Sequence, residues 1–492
     1  MNTGFPEVIP LLRSGAALVL LILSACSPFV APQRDPVPPD VPASFSLHTP
    51  EIRESAGAWW SEFGSEDLNR RVEQALRHNT TIREAWARLR QSRAFERIEG
   101  AALLPELSYT GEASHTRQHE QGHPLSTAEQ FSLALAGSYE LDIWGRVRAS
   151  VRAGEAAALS SAADLQAARV SIAATVVETW MELQTRKASF PLARHQWEAA
   201  RDQVELMRQR YLRGAANSED LLEQEQEVTS LRTSMENIRE QITRLEFELA
   251  VLCGDMPRLL PDSDSMPSYP AGENLPGLEP LAPIRGLGVP AEMLRQRPDV
   301  QAARLRLQES DWNVAAAQAD LLPALRLSAD GSVNAPHLDE VFDSWLANLA
   351  ASVTGPVFDG GRRRAEVDRA RAVVDERLAA YRDTVLSALQ EVEVALEQER
   401  RARIRLREAR RTLELRAQIH TQQRLRYLNG NDTYLNLLNA RQSLDSGRQD
   451  VLQTRFELYQ ARVALHRALG GRITEPQNTQ PVKAQYAVPA KL

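Results

Sequence analysis

Phe131-Ser132-Leu133-Ala134-Leu135-Ala136-Gly137-Ser138-Tyr139-Glu140-Leu141 places mostly large apolar residues at odd positions and small or polar residues at even positions. A period of two marks a β-strand with one apolar and one polar face. Leu107 to His115 alternates more weakly, while Leu325-Arg326-Leu327-Ser328-Ala329-Asp330-Gly331-Ser332-Val333 and Trp345 to Val353 repeat the pattern, with Arg326, Asp330, Asn348 and Ser352 on the opposite face. Stretches of about ten residues have the length a tilted strand needs to cross a bilayer as part of a barrel. Tyr109, Phe131, Tyr139 and Trp345 are suited to the interfacial aromatic belt. Four strands cannot close a barrel, and a sheet edge in hydrocarbon leaves N–H and C=O groups without partners. The chain is therefore expected to pool strands with copies of itself, giving eight, twelve or sixteen for two, three or four subunits.

Composition narrows the classes further. The 492 residues are 43% hydrophobic, ample for a core, and 58 Lys+Arg against 65 Asp+Glu give a net charge of −7. That balance offers no basic excess to hold a nucleic-acid backbone. Two cysteines and nine scattered histidines make neither a disulfide framework nor a four-thiolate zinc site.

Residues 1–25 read as a signal peptide. The apolar run Ala16-Ala17-Leu18-Val19-Leu20-Leu21-Ile22-Leu23, preceded by Arg13, is too short for a membrane span and fits a secretory signal core. Leu23-Ser24-Ala25-Cys26 resembles a bacterial lipobox, implying cleavage before Cys26 and a covalent lipid on it as the one non-protein group expected. Several acyl chains hold a protein stably at a membrane where one is marginal. Ser27 rather than Asp after the cysteine usually goes with sorting to the outer membrane. Pro28 to Pro42 holds six prolines in fifteen residues and should run extended, making 26–58 a tether. Cys253 would then be the remaining thiol, and Leu249-Ala250-Val251-Leu252-Cys253-Gly254 reads as a buried helix end.

The chain also repeats itself at a shift of about 217 residues. Leu103-Leu104-Pro105-Glu106-Leu107 matches Leu321-Leu322-Pro323-Ala324-Leu325, Gly145-Arg146 matches Gly361-Arg362, Tyr211-Leu212-Arg213-Gly214 matches Tyr427-Leu428-Asn429-Gly430, and Leu252-Cys253-Gly254 matches Ala468-Leu469-Gly470. This divides the chain into a first repeat at 59–254, a Pro- and Gly-rich linker at 255–290, a second repeat at 291–471 and a tail at 472–492. Each repeat is expected to run helix, two strands, very long helix, turn, helix. Arg146 to about Arg210 reads as one helix whose early Gly154 is tolerated among alanines, and Arg362 to Tyr427 repeats its length. A helix of some 65 residues spans ~100 Å, and helices ringed below a pooled barrel would enclose a water-filled tube.

Trp59-Trp60-Ser61-Glu62-Phe63 with Asp67-Leu68, Glu140-Leu141-Asp142-Ile143-Trp144-Gly145-Arg146, Arg297-Pro298-Asp299-Val300 and Phe358-Asp359-Gly360-Gly361-Arg362 resemble the recurring motifs of TolC-like outer-membrane efflux proteins. The resemblance is closest to the lipidated, NodT-type branch serving resistance-nodulation-division (RND) pumps, and covers about Trp59 to Gly471. It implies a mainly α fold with a membrane β part: a homotrimer whose twelve-stranded outer-membrane barrel, four strands per chain, continues as a periplasmic α-helical barrel. The implied partners are a periplasmic membrane-fusion adaptor, an inner-membrane RND pump and outer-membrane lipid. The implied role is passive, non-enzymatic export of small molecules such as drugs from periplasm to exterior. A duct for type I protein secretion and a trimeric coiled-coil surface protein are the alternatives, the second disfavoured by the strand alternation.

By the same resemblance the helix turns, Tyr211 to Gly214 and Tyr427 to Gly430, form the periplasmic aperture and adaptor tip, with Leu435, Asn439 and Arg441 near the constriction and Asp220 and Glu223 in comparable places in the first repeat. Relatives often carry an acidic residue where Asn439 stands, so no carboxylate ring is expected there. Arg297-Pro298-Asp299 reads as a helix start, and Asp359-Gly360-Gly361-Arg362 as a strand-to-helix junction lacking the GxxxxGK[ST] pattern of a phosphate loop. His115, His119 and His123 are spaced by four, but Gly122 and Pro124 make the segment read as a loop between strands, and no metal site is expected. The lipid assignment predicts that a Cys26→Ser chain incorporates no labelled palmitate and keeps its signal segment. Palmitate labelling that survives the substitution contradicts it.

Overall fold

The computed structural model describes residues 29–32, 41–46, 58–119, 121, 124, 126–258, 281 and 289–471. The signal segment, Cys26, most of the tether and linker, His123 and the tail lie outside them. Each half opens with two helices rather than the single one expected: α1 Glu66–His78 and α2 Thr80–Ala101, then α5 Pro290–Gln296 and α6 Pro298–Ala319. Asn79 divides the first pair, accepting from Thr81 N (2.9 Å) and Ile82 N (3.3 Å) while donating to Leu252 O at 2.9 Å. At the second division Arg297 Nη1 donates to Ala468 O at 2.7 Å. Residues 252 and 468 correspond under the repeat, so both junctions tie down the last helix of their own half.

Strands β1 Glu106–Gln118 and β2 Ser126–Leu141 are followed by α3 Arg146–Leu212 and α4 Ser218–Leu252. Strands β3 Ala324–Ala335 and β4 Trp345–Thr354 are followed by α7 Arg362–Leu428 and α8 Tyr434–Ala468. Both long helices have 67 residues and both that follow have 35. Pro191 lies inside α3, so the segment is not free of proline as a continuous helix of this length would suggest. Proline removes one backbone bond at a cost of about 3 kcal/mol. Buried Phe190 and Leu192 beside it join a hydrophobic cluster that holds the helix through that point. No helix among the described residues is long and apolar enough to cross a membrane.

The chain separates into two units. One consists mainly of Ala87–Ala163 and Gln301–Thr384 and holds an antiparallel sheet in the order β1-β2-β3-β4. Its register aligns Leu107 with Gly137, Ala329 and Leu349; Tyr109 with Leu135, Gly331 and Ala347; and Leu141 with Leu325 and Val353. Because side chains alternate across a strand, these residues share one face with Phe131, Leu133, Tyr139, Leu327, Val333 and Trp345. The other face carries Ser108, Glu112, Ser132, Glu140, Arg326, Ser328, Asp330, Ser332 and Asn348. Tyr109, Trp345 and Leu349 are 83%, 76% and 82% exposed, so the apolar face is bare in the single chain. Arg326 lies opposite Glu140, 3.9 Å away, and Asn348 donates to Asp330 at 3.3 Å, pairing polar groups with each other on the second face. Leu346 is an exception on the polar face, and His115, Arg117 and Glu129 sit at one end of the apolar one. Alanines 149, 153, 156 and 158 of α3 are buried in this unit, and Ser92 of α2 reaches Ser161 at 2.7 Å.

The other unit contains 58–86, 164–258, 289–300 and 385–471. Val176, Val177, Trp180 and Met181 of α3 pack with Trp59, Trp60, Phe63, Leu68 and Val72, with Ile242, Leu245 and Leu249 of α4, and with Leu452, Phe456 and Val463 of α8. Within this apolar core Arg462, 1% exposed, donates to Glu399 at 2.6 and 2.9 Å and to Glu62. Glu62 also meets His466 at 2.8 Å, and Trp59 stacks on the His466 ring, centroids 5.2 Å apart. The Trp-Trp-Ser-Glu-Phe motif thus holds α8 from a sequence distance of about 400 residues, and Arg462 in turn ties α8 to Glu399 of α7. Removing one partner of a buried ion pair costs about 3–5 kcal/mol. Glu399→Ala should accordingly lower the thermal midpoint of the detergent-solubilised protein, read by loss of helical circular dichroism, and joint replacement by Arg462→Met and Glu399→Leu should recover most of it.

Candidate functional site: the two helical turns

The α3–α4 and α7–α8 turns are built alike. Gly214 N donates to Tyr211 O at 2.9 Å and Ala215 N to Arg210 O at 2.8 Å. Gly430 N donates to Tyr427 O at 3.0 Å and Asn431 N to Arg426 O at 2.9 Å. This 6→1, 5→2 pattern closes a helix with its glycine left-handed, and the two glycines have φ of 70° and 71°.

The next helices are capped differently. Asn217 accepts from Asp220 N at 2.7 Å while Asp220 accepts from Asn217 N at 3.5 Å, a capping box that occupies the Asp220 carboxylate. In the second turn Thr433 accepts from Asn436 N at 3.4 Å, and Asp432 accepts from Asn436 Nδ2 at 2.6 Å and Thr433 N at 2.8 Å, with Arg426 at 3.5 Å. The Asn436 side-chain bond, then the Thr433 backbone bond, hold the Asp432 carboxyl below the usual range. Tyr427 packs on Tyr434, ring centroids 5.5 Å apart, and burial pushes the Tyr434 phenol up.

Leu435 and Asn439, four residues apart, share an exposed face of α8, Leu435 being 57% exposed. Glu223 is exposed on α4. Arg441 turns the other way and donates through Nη2 to His195 Nε2 of α3 at 3.3 Å. Gln449 donates to Gln196 at 3.3 Å, a second bond between these helices from different repeats. The structure thus brings Tyr427 and Gly430 into one turn and Leu435 and Asn439 onto one face, but places Arg441 in a helix–helix contact. Sequence reading missed Arg426, Tyr434 and His195. Arg426 and Tyr434 flank a turn already singled out and were findable by their spacing from Gly430, whereas no local pattern announces His195, 246 positions from Arg441.

The histidine segment needs correction. His115 lies within β1, its side chain 3.2 Å from Glu129 of β2, because pairing continues through Thr116, Arg117 and Gln118. His119 follows the strand end, and no group of three potential metal ligands occurs among the described residues.

A family model described as outer membrane efflux protein matches residues 72–255 and 289–471. The chain belongs to the outer membrane efflux protein family. The pyoverdine export outer membrane protein OpmQ of Pseudomonas putida is 30% identical over 468 residues, covering 92% of this chain and 95% of that protein. Nodulation protein T of Rhizobium leguminosarum is 27% identical and covers 97% of both. Among solved structures, the outer-membrane channel OprN superposes with a TM-score of 0.78 at 27% identity, covering 91% of this chain and 99% of that one. The outer membrane protein VceC of Vibrio cholerae gives 0.74 at 26%, covering 85% and 100%. The chain is thus an outer-membrane efflux channel protein with a TolC-like fold and a periplasmic helical body, in a family of transport channels rather than of enzymes. Gly430→Ala forces a left-handed alanine, worth roughly 1–2 kcal/mol, and should speed protease cleavage at the α7–α8 turn while leaving the sheet protected.

Proposed function

We propose that this chain is the outer-membrane conduit of a tripartite RND-type efflux system: a homotrimer with a twelve-stranded barrel that passively carries small molecules to the exterior, without catalysis. The observation that carries this reading is the sheet, with one apolar face, one polar face and two edges open in the single chain. Hydrocarbon tolerates the apolar face but not the open edges, so copies must join edge to edge, leaving the polar face to line water. The relatives support small-molecule cargo over protein, since they include proteins named for pyoverdine export, toluene efflux and antibiotic efflux.

A lipid on Cys26 anchors the chain beside its own barrel, and the exposed turns at Tyr211–Gly214 and Tyr427–Gly430, with Glu223, Leu435 and Asn439, meet the adaptor and form the entrance. The inner-membrane pump selects the cargo and supplies the energy. Purified mature protein should run as a trimer in detergent and conduct ions poorly in planar bilayers. Arg441→Ala, which removes the α8–α3 hydrogen bond nearest the turn, should raise the conductance severalfold. A detergent-free, water-soluble monomer would overturn the reading.

A further inference from the structure

Asn429-Gly430 in the α7–α8 turn is the one Asn-Gly pair in the 492 residues. The α3–α4 turn closes on the same left-handed glycine but puts Arg213 before it, so the pair belongs to the second repeat alone. Asparagine before glycine is chemically labile, because nothing on the next residue keeps its nitrogen from reaching the side-chain carbonyl carbon. Asn217, Asn431, Asn436 and Asn439 nearby are followed by Ser218, Asp432, Leu437 and Ala440, whose Cβ atoms stand in the way. Asn429 and Gly430 are both exposed, and a Cβ placed on Gly430 would meet nothing within 4 Å.

The reaction open to this pair needs only water. The Gly430 nitrogen attacks Asn429 Cγ and forms an N–Cγ bond. The Cγ–Nδ2 bond breaks, and Nδ2 leaves as ammonia with the proton that Gly430 N gave up. Water then opens the five-membered succinimide: cleavage at Cγ gives aspartate, and cleavage at the Asn429 backbone carbonyl carbon gives isoaspartate, whose chain runs through Cβ. The folded turn withholds the attacking nitrogen. Gly430 N donates to Tyr427 O at 3.0 Å, and Asn429 N donates to Leu425 O at 3.1 Å, which carries the helical bonding up to the glycine. Ring closure must break the first of these bonds and swing Gly430 N towards Cγ, so it proceeds only while the turn is open.

We infer that Asn429 is a deamidation site gated by the α7–α8 turn, protected while the helix cap is closed and converted to aspartate or isoaspartate when it opens. The conversion also makes the opening last. The bonds from Gly430 N to Tyr427 O and from Asn431 N to Arg426 O both close rings that pass through residue 429. Isoaspartate puts one more backbone carbon into both rings and spoils them together, leaving a new carboxylate on a turn that no longer closes. How often the turn opens depends on the next helix's cap, where Asp432 accepts from Thr433 N at 2.8 Å and Asn436 Nδ2 at 2.6 Å. The site stands on the geometry of the turn and is independent of the conduit reading.

Ageing the detergent-solubilised full-length protein beside the same chain unfolded in urea, at mildly alkaline pH, tests it. Conversion is read by mass spectrometry of the peptide spanning the turn, with isoaspartate distinguished by enzymatic methylation. In urea Asn429 should react faster than every other asparagine, and folding should slow it about tenfold, as expected for an exposed turn that opens readily. Asp432→Ala should cut that protection about threefold, each ratio being taken within one variant so that effects of sequence on the intrinsic rate cancel. After ageing, protease should cleave the wild-type turn faster than the turn of equally aged Asn429→Gln. Conversion at the same rate folded and unfolded would remove the gate, and equal cleavage of the two aged chains would remove the lasting opening. An Asn429 that stays intact in urea would remove the site itself.

Discussion

Everything in this chain answers to unpaired backbone amides at the two sides of a four-stranded sheet. In water such edges cost little, because solvent completes their hydrogen bonds. In hydrocarbon each orphaned N–H or C=O costs several kcal/mol. Leu107, Tyr109, Leu135, Trp345, Leu349 and Val353 commit the sheet to hydrocarbon on one face, and that commitment makes β1 and β4 dependent on other copies. The polar rows on the reverse face, including Arg326 opposite Glu140 and Asn348 opposite Asp330, then have water to face only if the joined sheets curl around it.

The helical unit solves a different problem. Helices of 67 and 35 residues have too narrow a cross-section to bury a thick core, so stability is concentrated where extra chain is laid against them. Trp59, Trp60 and Phe63 supply apolar bulk, and Glu62 joins Glu399 in accepting from Arg462. A second buried cation, Arg297, is served by Asp299 at 2.6 Å, Glu391 at 2.7 Å and the carbonyl of Ala468. Burial disfavours its charged form, but the bonds to Asp299 and Glu391 outweigh that and raise its pKa further, while they lower that of Asp299 against its own desolvation. The first motif reads in sequence as a family marker and the second as a helix start. In the structure both are clamps between distant segments.

Strands, long helices and the two-fold repeat were legible because each rests on a local or periodic signal: alternation at Phe131 to Leu141, and the paired Tyr-Leu-x-Gly turns. The helix start at Arg297-Pro298-Asp299 was legible from its proline, but the short helix before it and the break at Asn79 were not, since Asn79 acts through Leu252 and Arg297 through Ala468, partners more than 170 residues away. Pro191 shows the converse, a strong local breaker overruled by packing against buried neighbours. At the turns, glycines and caps followed from spacing, but the direction of Arg441 depends on which face of α3 it meets. His115 shows how a glycine and a proline nearby draw a strand end too early when cross-strand partners cannot be seen.

The most direct measurement places nitroxide labels, one at a time, on the two faces of the sheet in protein reconstituted into lipid vesicles, and compares relaxation by oxygen, which partitions into acyl chains, with relaxation by a water-soluble nickel complex. Labels at Leu133 and Leu349 should respond mainly to oxygen, and labels at Ser132 and Ser328 mainly to nickel. Nickel-dominated relaxation at Leu133 and Leu349 would mean that the apolar face is not in the bilayer, and the conduit would have no barrel to pass through.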